Sequence, residues 1–452
     1  MRFFNRTEET AFLKKIKDQN GKHMIVLYGP RRIGKTYLLR NAYPEANYFF
    51  VDTRSSETLL KDFSRRIFDG SFENWDAFFK YLLNSKRIVI IDEFQNFLRV
   101  DPSIFSILQN VWDSTESNIL LILSGSYVGM MKKIFLDLKE PLFGRSEYLI
   151  QLKEFNFFGV FEMLKNFGYT LEETITWYAI LGGVPKYLWY LESKKPFETL
   201  IEELFFGNFA PLKEEGKNLL VGEFGTEHPG YFAVLEGIGY FDREIGEICD
   251  RTKMERTKAM KYINELMTHY DIVEKVENKL SKSKRGARYK IKGNFLSFWF
   301  KYIYSNQDTI EFNPKSALDF TIKNINEIIG RTFEEVVKFL MPFFYKNGVI
   351  PVMPESIGKH WLKAPDGKVY EFDIVGETKD VLIIFECKWR NKKTSESDLN
   401  NFIQKCKFIK DQRKHILVFV SKSGFESNKD DEIIKIDLDM IEEIVNKEFN
   451  VI

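Results

Sequence analysis

The sequence predicts an α/β chain with three parts: a parallel sheet with a helical lid, a helix-rich unit with a β-ribbon, and a mixed α/β unit. Three observations predict it. Short apolar runs of strand type, "HMIVLY" (23–28), "IVII" (88–91) and "NILLIL" (118–123), are separated by longer segments, as strands buried on both faces of a parallel sheet are. From about 154 to 205, apolar residues recur three and four apart, the period of helices. "VYEFDIVGETKDVLIIFECKW" (369–389) reads as two strands joined by a turn at Gly376–Asp380. A chain of 452 residues has room for two or three domains, and we place them at 1–205, 206–315 and 316–452.

The first strand leads into "YGPRRIGKT". The spacing from Gly29 to Thr36 is G-x-x-x-x-G-K-T, between a strand and the helical "TYLLRNAY" (36–43). Glycines let the backbone curl so that successive N–H groups point inward, and a helix start adds unsatisfied N–H groups and positive dipole. Gly29, Pro30, Arg31, Arg32, Ile33, Gly34, Lys35, Thr36 and Tyr37 thus form a candidate triphosphate cradle. Lys35 would reach the β- and γ-phosphates, and the Thr36 hydroxyl would hold Mg²⁺. The side chains of Arg31 and Arg32 are free to meet the nucleotide, a neighbouring domain or nucleic acid; spacing favours none of these.

The second strand, "IVII", ends in Asp92 and Glu93. Ligands of open α/β sheets lie at that end of the strands. Asp92 would hold the Mg²⁺ water shell, and Glu93 would orient or deprotonate an attacking water. The third strand ends in Ser124-Gly125-Ser126, where one hydroxyl, Ser124 or Ser126, would sense the γ-phosphate. Arg145, beside Gly144, is a candidate arginine finger toward a neighbouring nucleotide. The helices beyond 154, punctuated by "GGVPKYL" (182–188), form the lid.

"YGPRRIGKT", "IIDEFQ", "LSGS", "PLFGR" and "GGVPKYL", in that order over residues 1–205, resemble the prokaryotic and archaeal ATPase family within the P-loop AAA+/STAND class. The resemblance implies a P-loop NTPase fold with a five-stranded parallel sheet and a helical lid. It also implies Mg²⁺-dependent ATP binding and hydrolysis.

The middle segment reads as three helices, at 228–239, 242–252 (opened by Asp242) and 253–268, then a hairpin with the basic turn "SKSKRGAR". This order resembles a winged helix-turn-helix. Lys253, Arg256, Lys258, Lys261, Lys284, Arg285 and Arg288 would meet DNA phosphates. Protein docking is the other use of such a module.

The last segment holds a second group of charged residues. Helix 330–344 carries Glu334 and Glu335, Asp373 lies on one strand, and Glu386 and Lys388 share a face of the next. A Glu and a Lys inside the apolar "LIIFECKW" are costly unless paired or functional. Asp373, Glu386 and Glu334 would hold Mg²⁺, Lys388 would position the nucleophile, and Gln404 on helix 398–410 would touch substrate. Helix-Glu, strand-Asp, strand-ExK, helix is similar to the restriction-endonuclease-like PD-(D/E)xK fold, although Phe372 rather than Pro precedes the Asp. A nuclease-like domain that cuts and one kept as a silent scaffold both fit.

Net charge is +1, which is neutral on nucleic acid. Cys249, Cys387 and Cys406 have no paired spacing, so neither a disulfide framework nor a zinc ribbon is expected, and a reducing cytoplasm suits them. The opening residues have no long apolar core and no apolar run reaches membrane-spanning length, so neither a signal peptide nor a membrane span is expected. The expectation is a cytoplasmic ATPase coupled to nucleic-acid binding and DNA cleavage. Its rivals are a STAND-type switch with a silent nuclease-like domain and a ring-forming homo-oligomeric remodeller.

Overall fold

The computed structural model describes residues 4–281, 286–365, 367–427 and 432–449. Five strands, β1 (Lys22–Tyr28), β2 (Asn47–Phe50), β3 (Ile88–Asp92), β4 (Ile119–Gly125) and β5 (Tyr148–Gln151), form a sheet in the order β2-β3-β4-β1-β5. Every pairing is parallel. Because strand side chains alternate, Met24 and Val26 enter one core with Val89, Ile91, Leu121 and Leu123. Ile25 and Leu27 enter the core on the opposite face with Ile90, Ile122, Leu38 and Leu39. Both faces are therefore covered, which explains why these strands read as unbroken apolar runs.

The lid begins with helices Phe157–Asn166 and Leu171–Leu181, the second opened by a capping box of Thr170 and Glu173. Helix Glu215–Phe224 follows, in a stretch without a motif. Next come helices Pro229–Ile238, Ile245–Thr252 and Arg256–Thr268, with β6 (Arg243–Glu244), β7 (Val273–Val276) and β8 (Arg288–Ile291) as a small antiparallel sheet ordered β6-β8-β7. Asp242 does not open the second of these helices. Glu244 and Glu247 form its capping box, while Asp242 pairs with Arg331 and Lys359.

The last sheet has the order β13-β12-β11-β10-β9, from β9 (Ser356–Lys363), β10 (Val369–Glu377), β11 (Val381–Lys388), β12 (Lys414–Ser421) and β13 (Ile433–Asp437). Strands β9 to β11 pair antiparallel; β11 to β13 pair parallel. Helix Asn326–Lys346 covers the face of Ile374, Phe385 and Val418, and helix Glu396–Cys406 covers that of Val375, Ile384 and Phe419. One apolar core runs without a break from the lid through the middle segment into this sheet.

Candidate active site

The loop between β1 and helix Lys35–Ala42 is shaped by backbone. Gly34 holds φ +91°, and a Cβ there would meet nothing within 4 Å, so the loop opens onto free space. Gly29 lies against the chain after β5, where a Cβ would stand 2.2 Å from the Leu152 carbonyl oxygen. Ile33 is buried in the core, so only its backbone faces the loop. Tyr37 is exposed on the helix.

Four side chains meet at the ends of β1, β3 and β4. Thr36 Oγ1 donates to Asp92 Oδ2 at 2.7 Å, and Tyr48 donates to the same oxygen at 2.6 Å. Ser124 donates to Asp92 Oδ1. This contact exists because β4 lies between the glycine-loop strand and the acidic strand. Ser126 donates to Glu93 Oε1 and Gln95 Nε2 to Glu93 Oε2, each at 2.5 Å. Both serines are thus engaged, one with each acid. Glu93 itself sits at φ +54°, a left-handed position uncommon for a side-chain-bearing residue.

Lys35 is buried and donates to the carbonyls of Gly29 and Pro30 at 2.7 and 2.8 Å. Burial pushes its ammonium down to about 8, against the pull of Glu93 and Asp92. A phosphate chain would supply the anionic partner that two carbonyls do not. The donor set therefore fits a nucleotide with Mg²⁺: an ammonium, a helix start, and a hydroxyl beside a carboxylate.

The two loop arginines turn toward the chain's own later helices. Arg31 donates to the Tyr127 hydroxyl and lies 4.7 Å over its ring. Arg32 pairs with Glu215 at 2.8 Å, and the Tyr187 hydroxyl donates to the same carboxylate at 2.6 Å. Arg145, the candidate finger toward a neighbouring nucleotide, lies away from this chain's own loop. It precedes β5, whose parallel pairing with β1 places it at the opposite end of the sheet from the glycine loop, and it pairs with Asp113 at 3.1 Å. It cannot reach this chain's own loop.

The second group lies on β10, β11 and helix Asn326–Lys346. The register slips between Phe372 and Val375, a bulge that re-aims the Asp373 region, and Asp373 Oδ2 accepts from the Cys387 N–H at 2.8 Å. Burial, then the nearby Glu334 and Glu386, push the Asp373 carboxyl up to about 8. Glu386 is held by Lys388 at 2.5 Å and Lys405 at 2.6 Å. Glu334 pairs with Lys359 at 2.8 Å and Glu335 with Lys290 at 2.9 Å. Among the described residues, no three His, Cys, Asp or Glu side chains stand as a ready-made metal cage. The expected convergence of Glu334, Asp373 and Glu386 is thus partial, because lysines have taken two of the three. A void of about 10 Å³, the size of one small ion or water, is bounded by Glu334, Lys359 and Asp373. Gln404 is exposed on its helix.

In the middle segment, Lys253, Arg256, Lys258 and Lys261 are exposed. Arg288 does not join them: it lies 4.3 Å over Trp361 and pairs with Glu371 at 2.6 Å. The ribbon's β8 end is docked on β9 and β10, so this cation is used inside the molecule. Lys284 and Arg285 lie outside the described residues.

Several site residues carried no motif. Tyr48 and Gln95 flank the acidic strand, Glu215 and Glu223 come from an unassigned helix, and Lys359 and Lys405 come from the strand and helix around Asp373. Only Gln95, within "DEFQ", had a local signal.

Residues 3–191 match a family model described as an ATPase domain predominantly from Archaea, and residues 299–400 match one described as archaeal and bacterial proteins of unknown function. An uncharacterized protein of Methanocaldococcus jannaschii is 29% identical over 410 residues, 86% of this chain and 88% of that protein. Among solved structures, a Walker-type ATPase of Pyrococcus abyssi has a TM-score of 0.49 at 19% identity, covering 66% of this chain and 96% of its own. The ORC2 protein of Aeropyrum pernix, solved with ADPNP and ADP, has 0.48 at 13%, covering 68% and 95%. No described helix is long and apolar enough to cross a membrane. The glycine loop, the acidic strand and the parallel sheet all fall within 3–191, the residues that match the model of an ATPase domain found predominantly in Archaea.

Proposed function

We propose that this chain is a Mg²⁺-dependent ATPase whose nucleotide site acts through a winged helix-turn-helix on a C-terminal nuclease-like domain, with nucleic acid as the target. The domains are those at 1–205, 206–315 and 316–452. The observation that carries the ATPase reading is the joined set Thr36–Asp92–Ser124 beside a buried Lys35 whose hydrogen-bond partners among the described residues are carbonyls.

Mg²⁺, when bound, balances phosphate charge. The chain's own work is geometric: loop N–H groups and Lys35 would hold the phosphates, the Thr36 hydroxyl would hold the metal, and Asp92 its water shell. Glu93, fixed by Ser126 and Gln95, takes the proton from the attacking water. Purified protein tested for ATP turnover, wild type against Glu93→Gln, checks this. The variant should keep nucleotide binding and lose about 10²-fold or more in turnover. Equal turnover would remove Glu93 from the role.

The nucleic-acid reading is supported by the helix-sheet order of residues 229–291 and by four exposed cations, Lys253, Arg256, Lys258 and Lys261, on and before helix Arg256–Thr268. The PD-(D/E)xK reading is supported by the strand order of the last sheet and by one electrostatic fact. Burial, then the carboxyls of Glu334 and Glu386, push Asp373 up, and the repulsion part is one that a divalent cation would relieve, next to an ion-sized void. The rival reading, a silent scaffold in a STAND-type switch, is supported by the lysines already on Glu386 and Glu334. Metal-dependent cleavage of DNA by wild type, Asp373→Ala and Lys388→Ala decides between them. Loss in both variants supports the nuclease; equal or absent cleavage in all three supports the switch.

A further inference from the structure

Helix Glu215–Phe224 belongs to no motif, yet its start holds the glycine loop and its end meets the segment that follows β4. At its start, Glu215 holds Arg32 at 2.8 Å and is itself fixed by the Tyr187 hydroxyl. Near its end, Glu223 meets the start of helix Val128–Leu136, the segment that follows the two serines of β4. Its Oε1 accepts from the Val128 N–H at 3.4 Å. Its Oε2 is shut off from solvent and has no hydrogen-bond partner of good geometry among the described residues, although the Gly129 N–H also faces the carboxylate. The helix comes this close because residue 222 is glycine: a Cβ there would stand 2.9 Å from the Tyr127 ring. A cavity of about 570 Å³ opens beside this contact, with Pro30, Arg31, Tyr127 and Glu223 in its wall.

Glu223 therefore brings a carboxyl with a spare oxygen to the side of the loop where Arg31, Tyr127 and the serine end of β4 gather. Burial pushes this carboxyl up to about 7, and Lys35 and Arg31 pull it back. A third phosphate arriving there adds negative charge beside it in a low-dielectric place. The carboxyl must then take up a proton or leave, and leaving moves the helix that also holds Arg32. A diphosphate, ending at Lys35 and the loop N–H groups, makes neither demand.

We infer that Glu223 discriminates nucleoside diphosphate from triphosphate: while helix Glu215–Phe224 is docked the loop favours the diphosphate, and a triphosphate enters by displacing Glu223. This rests on the reading of the glycine loop as a nucleotide site. It also gives Arg31 and Arg32 a task, since both are held by the surfaces that must part.

The test is the ratio of dissociation constants for ATP and ADP, both with Mg²⁺, by calorimetric titration of the full chain. Wild type should bind ADP about tenfold or more tighter than ATP. Glu223→Gln, nearly the same shape without the charge, should bring the two to within about threefold, mostly by tightening ATP. Glu223→Ala should shift the ratio the same way, which guards against an effect peculiar to the amide. A ratio unchanged in both variants, or moved against ATP, overturns the inference while leaving the nucleotide site in place. Wild type that binds neither nucleotide overturns both.

Discussion

Asp373 shows how a single carboxyl can report its surroundings. It is half-buried beside Glu334 and Glu386, and its carboxyl stands near 8 instead of the usual 4. Below about pH 4 the folded and unfolded chains both hold this proton, so no penalty exists. As pH rises, the unfolded chain releases it first and the folded chain keeps it, so stability falls until about pH 8 and then levels off. Asp373→Asn keeps an oxygen for the Cys387 N–H and has no proton to lose. Its stability relative to wild type should therefore grow between pH 5 and pH 8. Denaturant midpoints in the presence of a chelator measure this, and a difference that does not change with pH would contradict the assigned environment.

Among the elements, the glycine loop depends most on close approach. The Cβ of Gly29→Ala would collide with the Leu152 backbone oxygen, which cannot swing aside as a side chain can. We expect about 1–3 kcal/mol of lost stability, read from thermal or denaturant unfolding, together with weaker nucleotide binding. This loop was legible from sequence because its chemistry is local: spacing, a preceding apolar strand and a following helix are all in one stretch. The acidic strand and the two serines were legible for the same reason, and parallel order then brought them together. The partners of Arg31 and Arg32 were not legible. They lie on Tyr127 and on Glu215, contacts made across the fold that leave no periodic trace. The end of the sheet that Arg145 occupies was not legible either, because a loop arginine beside glycine looks the same at either end. Only the direction of β5 shows which end it occupies.

Across the whole molecule, the front and back units are tied by buried charge as well as by the shared apolar core. Asp242, between the helices of the middle segment, takes Arg331 at 3.1 Å and Lys359 at 3.3 Å, and Lys359 continues to Glu334. Removing one member of a buried pair leaves an uncompensated charge. Asp242→Ala should therefore lower stability by about 3–5 kcal/mol, well beyond a surface substitution, as measured by chemical denaturation. A loss under about 1 kcal/mol would mean that water screens this junction. The sequence assigned Asp242 to a helix cap and Arg288 to DNA because each had a plausible local use. In the fold both are spent on joining the middle segment to the last sheet, a long-range pairing that a single sequence does not display.

The central claim is that the loop from Gly29 to Thr36 grips a nucleotide through Lys35. The most direct measurement is calorimetric titration of ADP and of a nonhydrolysable ATP analogue, with Mg²⁺, into wild type and Lys35→Ala. The account predicts saturable one-site binding by wild type and at least about a hundredfold weaker binding by a variant that remains folded. Wild type that binds neither ligand, or a folded Lys35→Ala that binds as well as wild type, would contradict it.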